Sequence, residues 1–138
     1  NVAFGAITQD TSLPVEVTAD NLAVDQSSGT AVFTGNVMIG QGEMRLTAAR
    51  VLVTYRSQNA GIAKLEATGG VTLVTGADAA ESERADYNID SGEIEMSGNV
   101  LLTQGSSALT AEKMFVNLRD GTARMSGRVK TILQTGND

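Results

Sequence analysis

A five-residue segment returns four times along this chain, as Phe33-Thr34-Gly35-Asn36-Val37, Ala67-Thr68-Gly69-Gly70-Val71, Met96-Ser97-Gly98-Asn99-Val100 and Met125-Ser126-Gly127-Arg128-Val129. Its glycines lie 34, 29 and 29 residues apart, within the range of repeat architectures. Gly-Asn between apolar runs ordinarily signals a two-residue hairpin. A hairpin here would set Met125 against Lys130, Arg124 against Thr131 and Glu66 against Leu73, mixing charged and apolar groups on one face. If the chain instead runs straight through the glycine, each repeat sorts by period two. The inward sets are then Ala31, Phe33, Val37, Ile39; Leu65, Ala67, Val71, Leu73; Ile94, Met96, Val100, Leu102; and Ala123, Met125, Val129. Lys64, Glu66, Glu95, Asn99, Arg124 and Arg128 face outward. The glycine itself is expected to point inward, to give the strand curvature or, as the weaker alternative, to leave interior space.

A second recurring device precedes each glycine: Thr18-Ala19-Asp20, Thr47-Ala48-Ala49 and Thr110-Ala111-Glu112, with a degenerate copy at Ala80-Glu81-Ser82-Glu83. Apolar parity switches there, as from Met44 and Leu46 to Val51, Val53 and Tyr55. A period-two pattern changes phase only where a residue is inserted or the chain turns a corner, so a bulge or corner is expected at each copy. Turn glycines Gly29, Gly61, Gly92 and Gly121 close the remaining connections. No helical period is evident. The expected fold is all-β, a stack of short antiparallel strands from four repeats of about 30 residues, open at both ends.

Composition restricts the chemistry. With no Cys and no His there is no thiol nucleophile, imidazole base, disulfide or ordinary zinc site. The best catalytic candidates are the carboxylate pairs Glu93/Glu95 and Glu81/Glu83, which nothing flanks as base or oxyanion donor, so no enzyme activity, cofactor or metal is expected. The Asp-Gly turns lack the spaced ligand series of a calcium loop. A net charge of −6 argues against nucleic acid. The charge is polarised: residues 1–42 carry −4 and residues 105–138 carry +2. No apolar run reaches the length of a membrane helix and no signal segment is evident, so any targeting peptide is expected to have been removed or never present. An aliphatic, aromatic-poor interior suits either a filled core or a shelter for a lipid, and composition by itself favours the filled core.

The run from Pro14 to Tyr55 and the later stretch Ser97 to Leu118 resemble the OstA-like, or LptA, family of periplasmic lipopolysaccharide-transport proteins, and the likeness extends from about Pro14 to Thr135. The resemblance implies an OstA-like β-jelly roll, V-shaped in section, at residues 14–135, with residues 1–13 a flexible segment and 136–138 a tail. It implies lipopolysaccharide as ligand, the periplasm as location, head-to-tail self-association, an LptC-like inner-membrane partner at the N-terminal edge and an LptD-like outer-membrane partner at the C-terminal edge. An LptC-like or LptD N-terminal-like domain is an alternative within the pathway. A non-lipid β-repeat polymer, such as a bactofilin-like filament, is the alternative outside it, although its repeat would be near half the period seen here. Combined with the parity pattern, the resemblance designates Phe33, Val37, Ile39, Tyr55, Leu65, Leu73, Tyr87, Ile89, Met96, Leu102, Met114, Val116 and Met125 as lipid-facing. The partner edges are Val15, Glu16, Val17 and Thr18 at one end and Arg128, Val129, Lys130, Thr131, Ile132 and Leu133 at the other.

Overall fold

The structure is a computed structural model that describes residues 2–3, 13–57 and 61–132. Its strands are β1 (Val2–Ala3), β2 (Glu16–Thr18), β3 (Asn21–Asp25), β4 (Thr30–Gln41), β5 (Met44–Tyr55), β6 (Ile62–Thr75), β7 (Asp78–Asn88), β8 (Glu93–Gln104), β9 (Ser107–Asn117), β10 (Thr122–Ser126) and β11 (Lys130–Ile132). The recurring glycine segments lie inside β4, β6 and β8 as continuous strand, as the parity of their flanks requires. All strands join one antiparallel sheet in the order β1-β10-β9-β8-β7-β6-β5-β4-β2, with β3 beside β2 on β4 and β11 beside β10 on β9. Val2 and Ala3, within the segment expected to be flexible, pair with Ala123 and Thr122 of β10.

Pairing slips in the middle of every long strand: between Thr34 and Val37, Thr47 and Arg50, Thr68 and Val71, Glu81 and Arg84, and Ser97 and Val100. The slips align from strand to strand into one crease. On one side lie the turns at 26–29, 89–92 and 118–121, and on the other the tight turns at 42–43, 76–77 and 105–106. The crease divides the sheet into a first wall, bearing β3, β10 and the adjoining halves of β4–β9, and a second wall, bearing β2, β11 and the other halves. Inward residues of both walls belong to one hydrophobic cluster, so the sheet is folded onto itself as a jelly roll that is not closed at its edges.

The two sequence devices meet at the crease. Gly98 (φ +86°) and Asn99 (φ +49°) are both left-handed, and two such residues in succession redirect a strand sharply. A Cβ on Gly98 would lie 2.6 Å from Oε1 of Glu83 on the neighbouring strand, while Asn99 Nδ2 donates to Glu83 Oε2 at 2.6 Å. Gly35 faces Asp20 in the same way, with Asn36 Nδ2 donating to Asp20 Oδ2 at 3.0 Å, and Gly127 faces Glu112, which Arg128 approaches at 3.8 Å. In the remaining repeat the acid is replaced by Ala49 and the asparagine by Gly70. The copy that looked degenerate in sequence therefore holds a full crease contact, through Glu83.

This arrangement corrects the expected direction of the glycines. Their missing side chains make room for Asp20, Ala49, Glu83 and Glu112, all exposed, on the outside of the fold. Curvature is their role, and the alternative of interior space is removed. Val129, expected inward, is 51% exposed because the chain leaves the wall at Gly127-Arg128 and rejoins β9 only at Lys130.

Replacing Gly98 by Ala should lower the urea-denaturation stability by about 2–3 kcal/mol through positive-φ strain and the clash with Glu83. Gly105→Ala, at a turn with open space around the position, should cost about 1 kcal/mol from the backbone alone.

Candidate functional site: the interior between the walls

Cross-strand register arranges the inward side chains in rows parallel to the crease. Phe33, Val51, Ala67, Ala85, Met96, Met114 and Met125 form one row of the first wall, and Ala31, Val53, Leu65, Tyr87, Ile94, Val116 and Ala123 the next. On the second wall Ile39, Leu46, Leu73, Ala80, Leu102 and Leu109 face them. Of the positions designated as lipid-facing, Val37, Ile39, Leu65, Leu73, Tyr87, Met96, Leu102, Met114 and Val116 are fully buried, whereas Phe33, Tyr55, Ile89 and Met125 are half-buried and pack against the same cluster. The structure brings all of them into one interior, and that interior is filled. Met44, Leu46, Val51, Val53, Leu109 and Leu118 belong to it as well. Their parity along the sequence already marked them, with Leu118 continuing that of Met114 and Val116 into the turn.

A polar contact joins the two walls. Tyr87 Oη, on the first wall, donates to Gln41 Oε1, on the second, at 2.5 Å, and Gln41 Nε2 donates to the Leu13 carbonyl at 3.0 Å. Both side chains are 1% exposed. Burial pushes the Tyr87 phenol up to about 12, against the opposing effect of the Arg119 charge. Sequence reasoning missed Gln41, although it continues the inward parity of Val37 and Ile39.

Outward charges pair along and across strands: Arg84 bridges Asp86 of its own strand at 2.8 Å and Glu66 of β6 at 2.9 Å, and Lys113 lies 3.6 Å from Glu95 of β8. Hydrogen bonding to Asp86 raises the Arg84 guanidinium further above its usual value. Glu95 thus belongs to an ion pair and Glu83 to the crease, so one member of each carboxylate pair considered for catalysis is engaged in a structural contact. Among the described residues no group of three His, Cys, Asp or Glu is placed to hold a metal ion.

At the N-terminal edge, Glu16, Val17 and Thr18 pair with Gly40, Ile39 and Met38, Val15 packs on the core, and no described strand pairs with the other side of β2 or β3. Leu22 and Val24 of β3 are exposed. At the other end Lys130, Thr131 and Ile132 pair with Thr110, Leu109 and Ala108, and β11 carries no strand on its outer side among the described residues. Ile132 is 57% exposed, Arg128 and Val129 precede the strand, and Leu133 lies outside the described residues.

A family model described as LptA/(LptD N-terminal domain) LPS transport protein matches residues 16–122. The chain belongs to this family. Its members are transport proteins, not enzymes. The chain is 32% identical over 83 residues to an uncharacterized protein of Rhizobium meliloti (strain 1021), covering 55% of this chain and 45% of that protein. It is 37% identical over 49 residues to the lipopolysaccharide export system protein LptA of Escherichia coli (strain K12), covering 36% of this chain and 26% of that protein. These matches span less than half the length of either relative. The fold matches the crystal structure of LptH, the LptA homologous periplasmic component of the lipopolysaccharide transport device of Pseudomonas aeruginosa, with a TM-score of 0.82 at 16% identity, covering 92% of this chain and 99% of that one. The all-β jelly roll expected from the sequence is thus the family fold.

Tyr87 gives a pH signature for wall contact. Its proton is held to about pH 12 in the folded chain and released near pH 10 in the unfolded one, so the unfolded state binds fewer protons between these values and stability falls as pH rises. Between pH 10 and 12 the wild type should lose about 2–3 kcal/mol more than Tyr87→Phe in urea melts. Equal losses in the two proteins would place the phenol in water.

Proposed function

We propose that the chain binds lipopolysaccharide by its acyl chains between the two walls and forms part of a periplasmic bridge that carries this lipid from the inner to the outer membrane. The observation that carries the reading is the family match across residues 16–122, on a fold whose interior is almost entirely apolar. Each CH₂ taken out of water contributes about 0.8 kcal/mol, so an acyl chain of a dozen carbons is sheltered by about 10 kcal/mol, enough to compete with the contacts of a filled core. Because the interior is filled, entry requires the walls to part. The crease is the hinge line, and the Tyr87–Gln41 contact is the polar tie that opening breaks. The lipid-facing set remains the one given above, from Phe33 to Met125.

Assembly follows from the edges. An open strand edge presents unpaired N–H and C=O groups to another chain. The N-terminal edge carries Glu16 and Asp20 and the C-terminal edge Arg128 and Lys130, so opposite charges meet when one copy's tail docks on the next copy's head. The contact is heterologous and does not close, which yields a track instead of a fixed dimer. An LptC-like domain takes the N-terminal edge and an LptD-like domain the C-terminal edge. Transport draws its energy from a partner ATPase complex. The matched model also describes the N-terminal domain of LptD, and that specific observation supports a second reading, in which this module sits at the outer-membrane end of the same track.

Photo-crosslinkers at Val37, Leu65, Leu102 and Met114 should label lipopolysaccharide when the chain is exported to a Gram-negative periplasm, whereas crosslinkers at Glu66, Asn99 and Arg128 should not. Equal labelling of both sets sinks the interior assignment. A chain cut after Arg128 should stay folded and lose concentration-dependent association in sedimentation; undiminished association would remove β11 as the joint.

A further inference from the structure

The inward position nearest the tight turns of the second wall departs from the apolar pattern in a regular way. One step beyond Ile39, Leu73, Ala80, Leu102 and Leu109, the same parity brings Gln41, Thr75, Asp78, Gln104 and Ser107 to the inner face. Thr75 pairs with Asp78, Asp78 with Gln104 and Gln104 with Ser107, so these side chains form a row across β6 to β9, continued on β4 by Gln41 and interrupted only by Met44 on β5. At the matching depth the first wall is apolar, with Tyr55, Ile89 and Leu118. The two lips of the groove therefore differ in kind.

Turn-flanking residues are ordinarily polar because they are wet. Gln41 and Thr75 are not wet, at 1% and 4% exposed, and Asp78, Gln104 and Ser107 are half-buried. Withdrawing such groups from water is unfavourable unless each finds a partner. In the closed form these groups find partners within the protein: Gln104 Nε2 donates to Asp78 Oδ2 at 3.2 Å, and Gln41 holds Tyr87 and the Leu13 carbonyl. Apolar residues at these positions would close the groove more simply. When the walls part, the same groups face whatever enters.

We propose that this row is a hydrogen-bonding rail for the junction between headgroup and acyl chains of a bound amphiphile, taking amide, ester or hydroxyl groups while the chains lie among the apolar rows beneath. The proposal rests on the lipid-binding reading above and adds where the polar part of the lipid is held. Glutamine offers both a donor and an acceptor, which suits an amide or a hydroxyl in either sense. Asp78 in the middle of the row accepts such donors and repels phosphate, so the rail selects neutral polar groups and leaves phosphates outside the lip. Neighbouring strands are about 4.8 Å apart, so from β4 to β9 the rail extends roughly 24 Å with a polar group at nearly every step. An amphiphile moving along the stack exchanges one hydrogen bond for the next instead of giving them up together.

The test uses the whole chain and two probes of equal chain length, an N-dodecanoyl amide of a sugar and the corresponding dodecyl ether, with lipopolysaccharide as reference. The wild type should bind the amide more tightly than the ether. Thr75→Val combined with Gln104→Leu, which leaves the Tyr87–Gln41 contact in place, should weaken amide binding about five- to twentyfold and leave ether binding within twofold, since each lost neutral hydrogen bond amounts to roughly a fivefold change. A wild type that binds lipopolysaccharide but does not prefer the amide overturns the rail by itself, whether or not the double variant folds. Equal losses for both probes overturn it too. If the wild type takes up neither lipopolysaccharide nor either probe, the lipid-binding reading falls and the rail falls with it.

Discussion

The structure depends on the pairing of a left-handed glycine step in one strand with an outward-facing residue in its neighbour. Where Gly98-Asn99 turns, Glu83 fills the space above the glycine and binds the asparagine amide; Gly35-Asn36 and Asp20 repeat the contact. These bonds are exposed, and an exposed hydrogen bond or ion pair contributes about 1 kcal/mol or less. Burial of a single Leu or Ile of the interior contributes about 1.5–3 kcal/mol. Hydrophobic burial therefore drives the walls together, while the glycine pairs decide where the sheet creases. The positions of the crease in successive strands must agree, because a slip of one residue would turn every inward side chain of that half-strand to solvent.

One consequence is an interior that is well ordered but made of adaptable parts. Met44, Met96 and Met114 are fully buried and Met125 lies at the margin, and methionine fills irregular space without imposing a single packing. Tyr87 and Gln41 supply the directional contact between walls that an aliphatic interior lacks. In the proposed function such an interior can exchange its own contacts for those of acyl chains, with the two walls turning about the crease.

The edges are unequal. At the C-terminal end β10 is covered by β1 while β11 carries no further described strand; at the N-terminal end neither β2 nor β3 carries one. Arg128 serves two places at once, since it occupies the left-handed position of the last crease step beside Glu112 and stands at the start of the open edge. Because it is almost wholly exposed, its pairing with Glu112 is weak, and in the proposed assembly it is exchanged for an acid of the next copy.

The sequence by itself determined the all-β class, the passage of the chain straight through Gly35, Gly69 and Gly98, the phase change at Thr-Ala-Asp/Glu and nearly the whole inward set, because period two and its interruptions are local properties of a strand. It also carried the family, through motifs that recur at fixed spacing. Only the tertiary structure decided which way the glycines face, since their neighbours Asp20, Ala49, Glu83 and Glu112 come from another strand and the pairing register between strands is not written in either one alone. The same reason hid the contact of Gln41 with Tyr87, 46 residues apart and on opposite walls, and the exposure of Val129, whose parity promised an inward position until the last crease step carried it off the sheet. Parity tells a residue which face of its strand it occupies; what lies opposite that face is settled by the fold.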